Sequence, residues 1–163
     1  MKIIISRHGE AEDYSSSGRD FDRSLTDAGR LDIAKMANFI KNSSLKVQHI
    51  YHSPYLRTKQ TAEIYSSILQ LPEQIELCEE LAPNNDCMDL VHRIRNFSNS
   101  ETFLLISHNP GIAFFASRLI QDESLYESLL FMPGTTIAIN IARERFTKGQ
   151  IIWMISPRDL PDA

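Results

Sequence analysis

The chain opens with Lys2-Ile3-Ile4-Ile5-Ser6-Arg7-His8-Gly9-Glu10. Its run of β-branched apolar residues shows no alternation, which marks a strand covered on both faces rather than one. Polar residues begin abruptly at the carboxyl end of that run. The same design recurs twice. A short strand over Val47–His52 leads into Ser53-Pro54-Tyr55-Leu56-Arg57-Thr58, and the apolar run Thr102–Ser107 leads into His108-Asn109-Pro110-Gly111.

Helical periodicity separates these strands. Thr26 is an N-cap for a helix from Asp27 to Lys41, with Ile33, Met36, Ala37 and Ile40 as its apolar stripe. Pro54 suits the first turn of a second helix, on which Arg57, Thr61, Ile64 and Ile68 share a face, so that Arg57 points inward. A weak strand over Ile75–Leu77 precedes a helix from Met88 to Phe97, and a further helix runs from the His108–Gly111 turn to Ile120. The tail gives two strands, Thr135–Ile141 and Gln150–Ile155, joined by a turn near Lys148-Gly149 and added to the sheet, with an antiparallel arrangement open to them. The alternation of β and α predicts an α/β fold: a three-layer αβα sandwich with a mostly parallel central sheet, in a single domain over residues 1–163.

Composition bounds the class. The 163 residues are 42% hydrophobic and 23% charged, the balance of a globular domain and not of a disordered chain or repeat array. The net charge of −4 and a pI near 5.7 argue against nucleic acid or an anionic membrane as partner. No run approaches the ~18 apolar residues of a membrane span, and the opening apolar run falls short of a signal-peptide core of about 7–15. A cytoplasmic location is expected. Cys78 and Cys87 fit a reducing compartment, although one bridge between them stays open. The histidines show no spacing that binds a metal, so neither metal nor cofactor is expected.

Ligands of parallel sheets bind outside the carboxyl ends of strands, which is where the three polar clusters stand. If the strands are parallel, Arg7, His8, Arg57 and His108 converge on one crevice. Guanidinium groups match phosphate oxygens, and helix N-termini favour anions. One neutral histidine can act as a nucleophile on phosphorus, while a second, protonated one stabilises the transferring oxygens. Gly9 and Ser53 join the candidate substrate-binding residues. Arg23 either contacts substrate or fixes the polar loop Glu10–Arg23. His52 stands at the crevice edge or is simply a strand residue. His49 and His92 read as ordinary strand and helix residues, and Trp153, Met88, Met132 and Met154 as core.

At these residues the sequence resembles the histidine phosphatase superfamily, with its phosphoglycerate-mutase-like fold. Arg7-His8-Gly9-Glu10 matches its signature, the segment from Ser53 to Glu63 matches the part carrying its second phosphate-pocket arginine, and Ser107-His108 matches its second histidine. Arg23-Ser24-Leu25-Thr26 with Gly29 follows another family pattern, with Ser24 where proline is usual. Overall length, Glu80-Leu81-Ala82-Pro83 and the ending Trp153–Pro157 are closest to the SixA-type phosphohistidine phosphatases. The resemblance implies that His8 is the nucleophile, that Arg7, Arg57 and His108 form the phosphate pocket, and that a histidine-phosphorylated phosphotransfer domain or phosphocarrier protein is the substrate.

The inserted segment that carries a general acid in larger members has no counterpart here. An alcohol leaves poorly without a proton, whereas an imidazole, with a reference pKa of ~6.5, needs little help. A P–N substrate is therefore expected. Glu80 and Asp22 are the candidate donors if a phosphomonoester of a small metabolite is the substrate instead. A phosphoprotein reader without catalysis is the remaining alternative, and the intact His8 argues against it.

Overall fold

The computed structural model describes residues 1–85, 87–94, 101–141 and 148–161. Strands β1 (Lys2–Arg7), β2 (His49–His52), β3 (Ile75–Leu77), β4 (Thr102–Ser107), β5 (Thr136–Asn140) and β6 (Gln150–Ile155) form one sheet in the order β3-β2-β4-β1-β5-β6. The first four are mutually parallel, while β5 and β6 are antiparallel additions beside β1. The pairing Arg7↔Ser107 and His52↔Ile106 brings the carboxyl ends of β1, β4 and β2 level with one another.

Ile3, Ile4 and Ile5 on β1 and Phe103 through Ile106 on β4 are completely buried, as strands sandwiched on both faces require. Against one face pack α1 (Asp27–Asn42) and α2 (Leu56–Leu69), in a core that joins Ile33, Met36, Ile40, Ala62 and Tyr65 to Ile4, Ile50 and Leu104. Against the other pack α3 (Met88–Ile94) and α4 (Gly111–Ile120), joining Leu90, Val91, Ile112 and Phe115 to Ile3, Ile5 and Phe103. This is the expected αβα sandwich. Among the described residues no helix is long and apolar enough to cross a membrane.

Thr26 caps α1 as its sequence suggests, accepting a 2.9 Å hydrogen bond from the Gly29 N–H. Helix α2 begins at Leu56, so Pro54 lies ahead of its first turn instead of within it. Its buried face also differs from expectation. Arg57 and Thr61 are buried together with Thr58, Ala62, Tyr65 and Ser66, while Ile64 and Ile68 are half-buried at the edge of the core. A polar stripe can face inward because its groups are paired: Thr58 and Thr61 hydroxyls donate to backbone carbonyls, and the Tyr65 hydroxyl lies 3.0 Å from that of Ser6. Phe97, the expected end of α3, and most of the link between β5 and β6 lie outside the described residues. Trp153 packs edge-to-face on Phe39, and Met88 and Met154 on the opposite core. No disulfide joins Cys78 and Cys87.

Candidate active site

The level strand ends bring Arg7, His8, Asp20, Arg23, Arg57 and His108 to the walls of one cleft of about 350 Å³. His8 follows the last residue of β1 and is held through its backbone: its N–H donates to Ser107 C=O and its C=O accepts from Gly134 N–H. The residue is 7% exposed. Its Nδ1 lies 2.7 Å from the Gly9 carbonyl, which can only accept, so Nδ1 carries the proton. Nε2 then presents a lone pair, which accepts from Arg57 Nε at 3.2 Å. Burial, with the charges of Arg57, Arg7 and Arg23, pushes the His8 pKa down to about 3 against the favourable Gly9 bond. The imidazole is neutral, as a nucleophile requires.

The His108 ring stands 5.2 Å from that of His8, centroid to centroid. Its Nε2 is 2.7 Å from the Ser53 hydroxyl. When Ser53 donates, the proton of neutral His108 sits on Nδ1, a buried atom with no hydrogen-bond partner among the described residues. Burial and the nearby His8 and Arg57 lower its pKa to about 3. Burial first of all, with the cationic surroundings, holds His108 neutral before an anion binds, and a phosphoryl dianion would bring the charge that favours the expected protonated form. Arg7 donates through Nη1 to the Phe131 carbonyl at 2.7 Å, whereas its buried Nε has no partner in the described protein. Arg7 Nε is a buried donor without an acceptor, and His108 Nδ1 is a second one when Ser53 donates; both suit an anion.

Asp20 is the residue that sequence reasoning missed. It belongs to a 3-10 turn, Asp20–Asp22, in the polar loop. Arg57 Nη1 donates to its backbone carbonyl at 2.8 Å and Nη2 to its Oδ2 at 3.0 Å, while Arg23 Nε donates to Oδ1 at 2.7 Å. Burial raises the Asp20 pKa, but the two guanidinium groups outweigh it and the net shift is downward. Arg23, which also donates to the Glu12 carbonyl, lines the cleft but uses its hydrogen bonds to fix the loop. The signal was faint: an acid three residues before Arg23 in a loop rich in both.

Gly9 and Ser53 act through neighbours. Gly9 donates its N–H to Thr61 Oγ1, and a Cβ on it would lie 2.8 Å from the Gly29 carbonyl oxygen. Ser53 is fully buried behind His108. Glu80 lies outside the cleft, where it accepts from the Cys78 thiol and pairs with Arg93, and that thiol bond first of all lowers its pKa. Asp22 accepts from Ser17 and Arg19, which lower its pKa in the same way, and it too is absent from the cleft wall. Neither is placed to protonate a leaving group. Glu10 does line the cleft, its carboxylate accepting from the Thr26 hydroxyl. His52 is a buried strand residue bonded to the Ser53 carbonyl.

This fold is that of a known class. The model of the histidine phosphatase superfamily (branch 1) matches residues 3–83. The phosphohistidine phosphatase SixA of Escherichia coli (strain K12) is 30% identical over 100% of this chain and 98% of its own. The chain belongs to the histidine phosphatase superfamily, and within it is a SixA-like histidine phosphatase. The solved structure of the protein histidine phosphatase SixA complexed with tungstate superimposes with a TM-score of 0.84 at 26% identity, covering 98% of this chain and 99% of that one. A putative phosphohistidine phosphatase SixA from Agrobacterium tumefaciens shares the fold, with a TM-score of 0.79 at 20% identity over 96% of this chain and 97% of that one.

Proposed function

We infer that the protein is a phosphohistidine phosphatase that strips phosphate from a histidine-phosphorylated protein through a phospho-His8 intermediate. The observation that carries this reading is the Gly9 carbonyl holding the His8 proton on Nδ1, so that the lone pair stays on Nε2, where Arg57 Nε holds it until phosphorus takes its place. In the first step Nε2 bonds to phosphorus as the P–N bond to the substrate ring breaks. That ring leaves as neutral imidazole when its other nitrogen is protonated, an event common near its reference pKa of ~6.5. In the second step water attacks phosphorus and the P–Nε2 bond breaks. Because Nδ1 keeps its proton throughout, His8 also departs as neutral imidazole, and both water protons leave with phosphate. Arg7, Arg57 and His108 stabilise the equatorial oxygens in each transfer.

The carboxylates favour the same substrate class. Asp20, ion-paired twice, has no proton to give near neutral pH, and Glu80 and Asp22 lie outside the cleft. Glu10 is the carboxylate left on the cleft wall, and an alkoxide leaving group would depend on it for a proton, whereas imidazole needs no donor. The name of the Escherichia coli relative and the tungstate-bound SixA, an oxyanion complex, support the reading. Incubation with a histidine-phosphorylated phosphocarrier protein tests it. The wild type is expected to release phosphate at least ~10³-fold faster than His8→Ala. Equal rates would overturn the reading, and turnover of an alkyl phosphate as fast as the phosphoprotein would favour a small-metabolite phosphatase.

A further inference from the structure

A second cavity of about 360 Å³ adjoins the catalytic cleft, and Pro83, His108 and Asn109 line both. Phe115 and Cys87, 2% and 5% exposed, form its apolar floor, and Phe114 of α4 stands beside it 45% exposed. Asn84 and Asn85 join Asn109 at its exposed edge. Among the described residues that line it there is no carboxylate. The guanidinium of Arg118, the one basic side chain among the described lining residues apart from His108, stands 5.7 Å over the Phe114 ring.

We propose that this cavity is a peptide subsite, seating an apolar side chain that lies within three residues of the phosphohistidine. The proposal rests on the phosphohistidine reading above and names how the substrate is chosen. A phosphorylated ring that reaches His8 must lay its flanking chain over the cleft walls, and the wall of Pro83, His108 and Asn109 leads directly into the cavity. Extended chain covers about 10 Å in three residues, enough to cross a shared wall. An apolar floor and an exposed phenyl ring suit an apolar side chain, and exposed apolar surface of this kind marks binding sites. Amide side chains donate and accept, so the asparagines can serve the backbone of the flanking residues whatever their sequence. A phosphate ester without an apolar group offers nothing that fills this space.

Synthetic peptides carrying phosphohistidine flanked by Leu or by Ser, with phosphoramidate as a small P–N control, test this with the full-length enzyme. The wild type is expected to show kcat/KM about 10-fold or more higher for the Leu-flanked peptide. Phe114→Glu should erase that preference and leave phosphoramidate turnover unchanged, while Phe114→Leu should retain the preference. Flank-independent peptide turnover in the wild type, or a preference that survives Phe114→Glu, would overturn the subsite yet leave the phosphohistidine reading standing. Failure to hydrolyse any P–N substrate would remove both.

Discussion

The Arg57 guanidinium donates through Nε to His8 and through both Nη atoms to Asp20. Asp20 therefore grips its outer edge and turns the remaining edge toward the nucleophile, with Arg23 bracing Asp20 from behind. Such bracing matters because small misplacement of a charge-stabilising group is costly. Asp20→Ala is expected to lower kcat/KM on a phosphohistidine protein about 10-fold, and Asp20→Asn, which keeps an acceptor for Arg57, to restore most of it. If Asp20 were instead an anion competing with phosphate, Asp20→Ala would tighten inhibition by inorganic phosphate, and steady-state kinetics with both variants separate the cases. Arg7, His8, Arg57 and His108 were readable because each ends, directly follows or closely trails a short apolar strand. Asp20 was not, since its role comes from how an irregular loop folds across the cleft.

At the scale of elements, strand positions and the cap of α1 follow from local chemistry, and the sequence shows them well. The face that α2 buries does not, because burial there is decided by partners from distant strands: Tyr65 meets Ser6 of β1 and Thr136 of β5, and Thr61 meets Gly9. Helical spacing pointed to Arg57, Thr61, Ile64 and Ile68, of which the first two are buried and the last two half-buried. Thr61 ties helix to site, since its hydroxyl donates to the Arg57 carbonyl and accepts from the Gly9 N–H. Thr61→Val keeps the shape and strands that buried N–H, a loss expected to lower stability by about 1–3 kcal/mol in urea unfolding. A change below ~0.5 kcal/mol would mean that the N–H finds another partner.

Across the whole molecule, the parallel order of β2, β4 and β1 gathers clusters about fifty residues apart in sequence into one cationic cleft, and that gathering has an acid-stability consequence. His8 and His108 both have pKa values lowered to about 3 by burial first of all. Unfolded histidines bind protons near pH ~6.5, so between those limits the unfolded chain holds more protons than the folded one. Stability is thus intact above pH ~6.5 and falls as pH drops toward 3. Urea midpoints between pH 7.5 and 5 are expected to decline less steeply in His8→Asn/His108→Asn than in the wild type, by up to about two protons in the slope; identical slopes would contradict the buried neutral pair. The most direct test of the account is rapid quenching of the enzyme with a ³²P-labelled histidine-phosphorylated protein. A transient label is expected on the wild-type enzyme at His8, labile in acid, stable in base and missing from His8→Ala. Steady turnover by the wild type with no such label at any time point would contradict it.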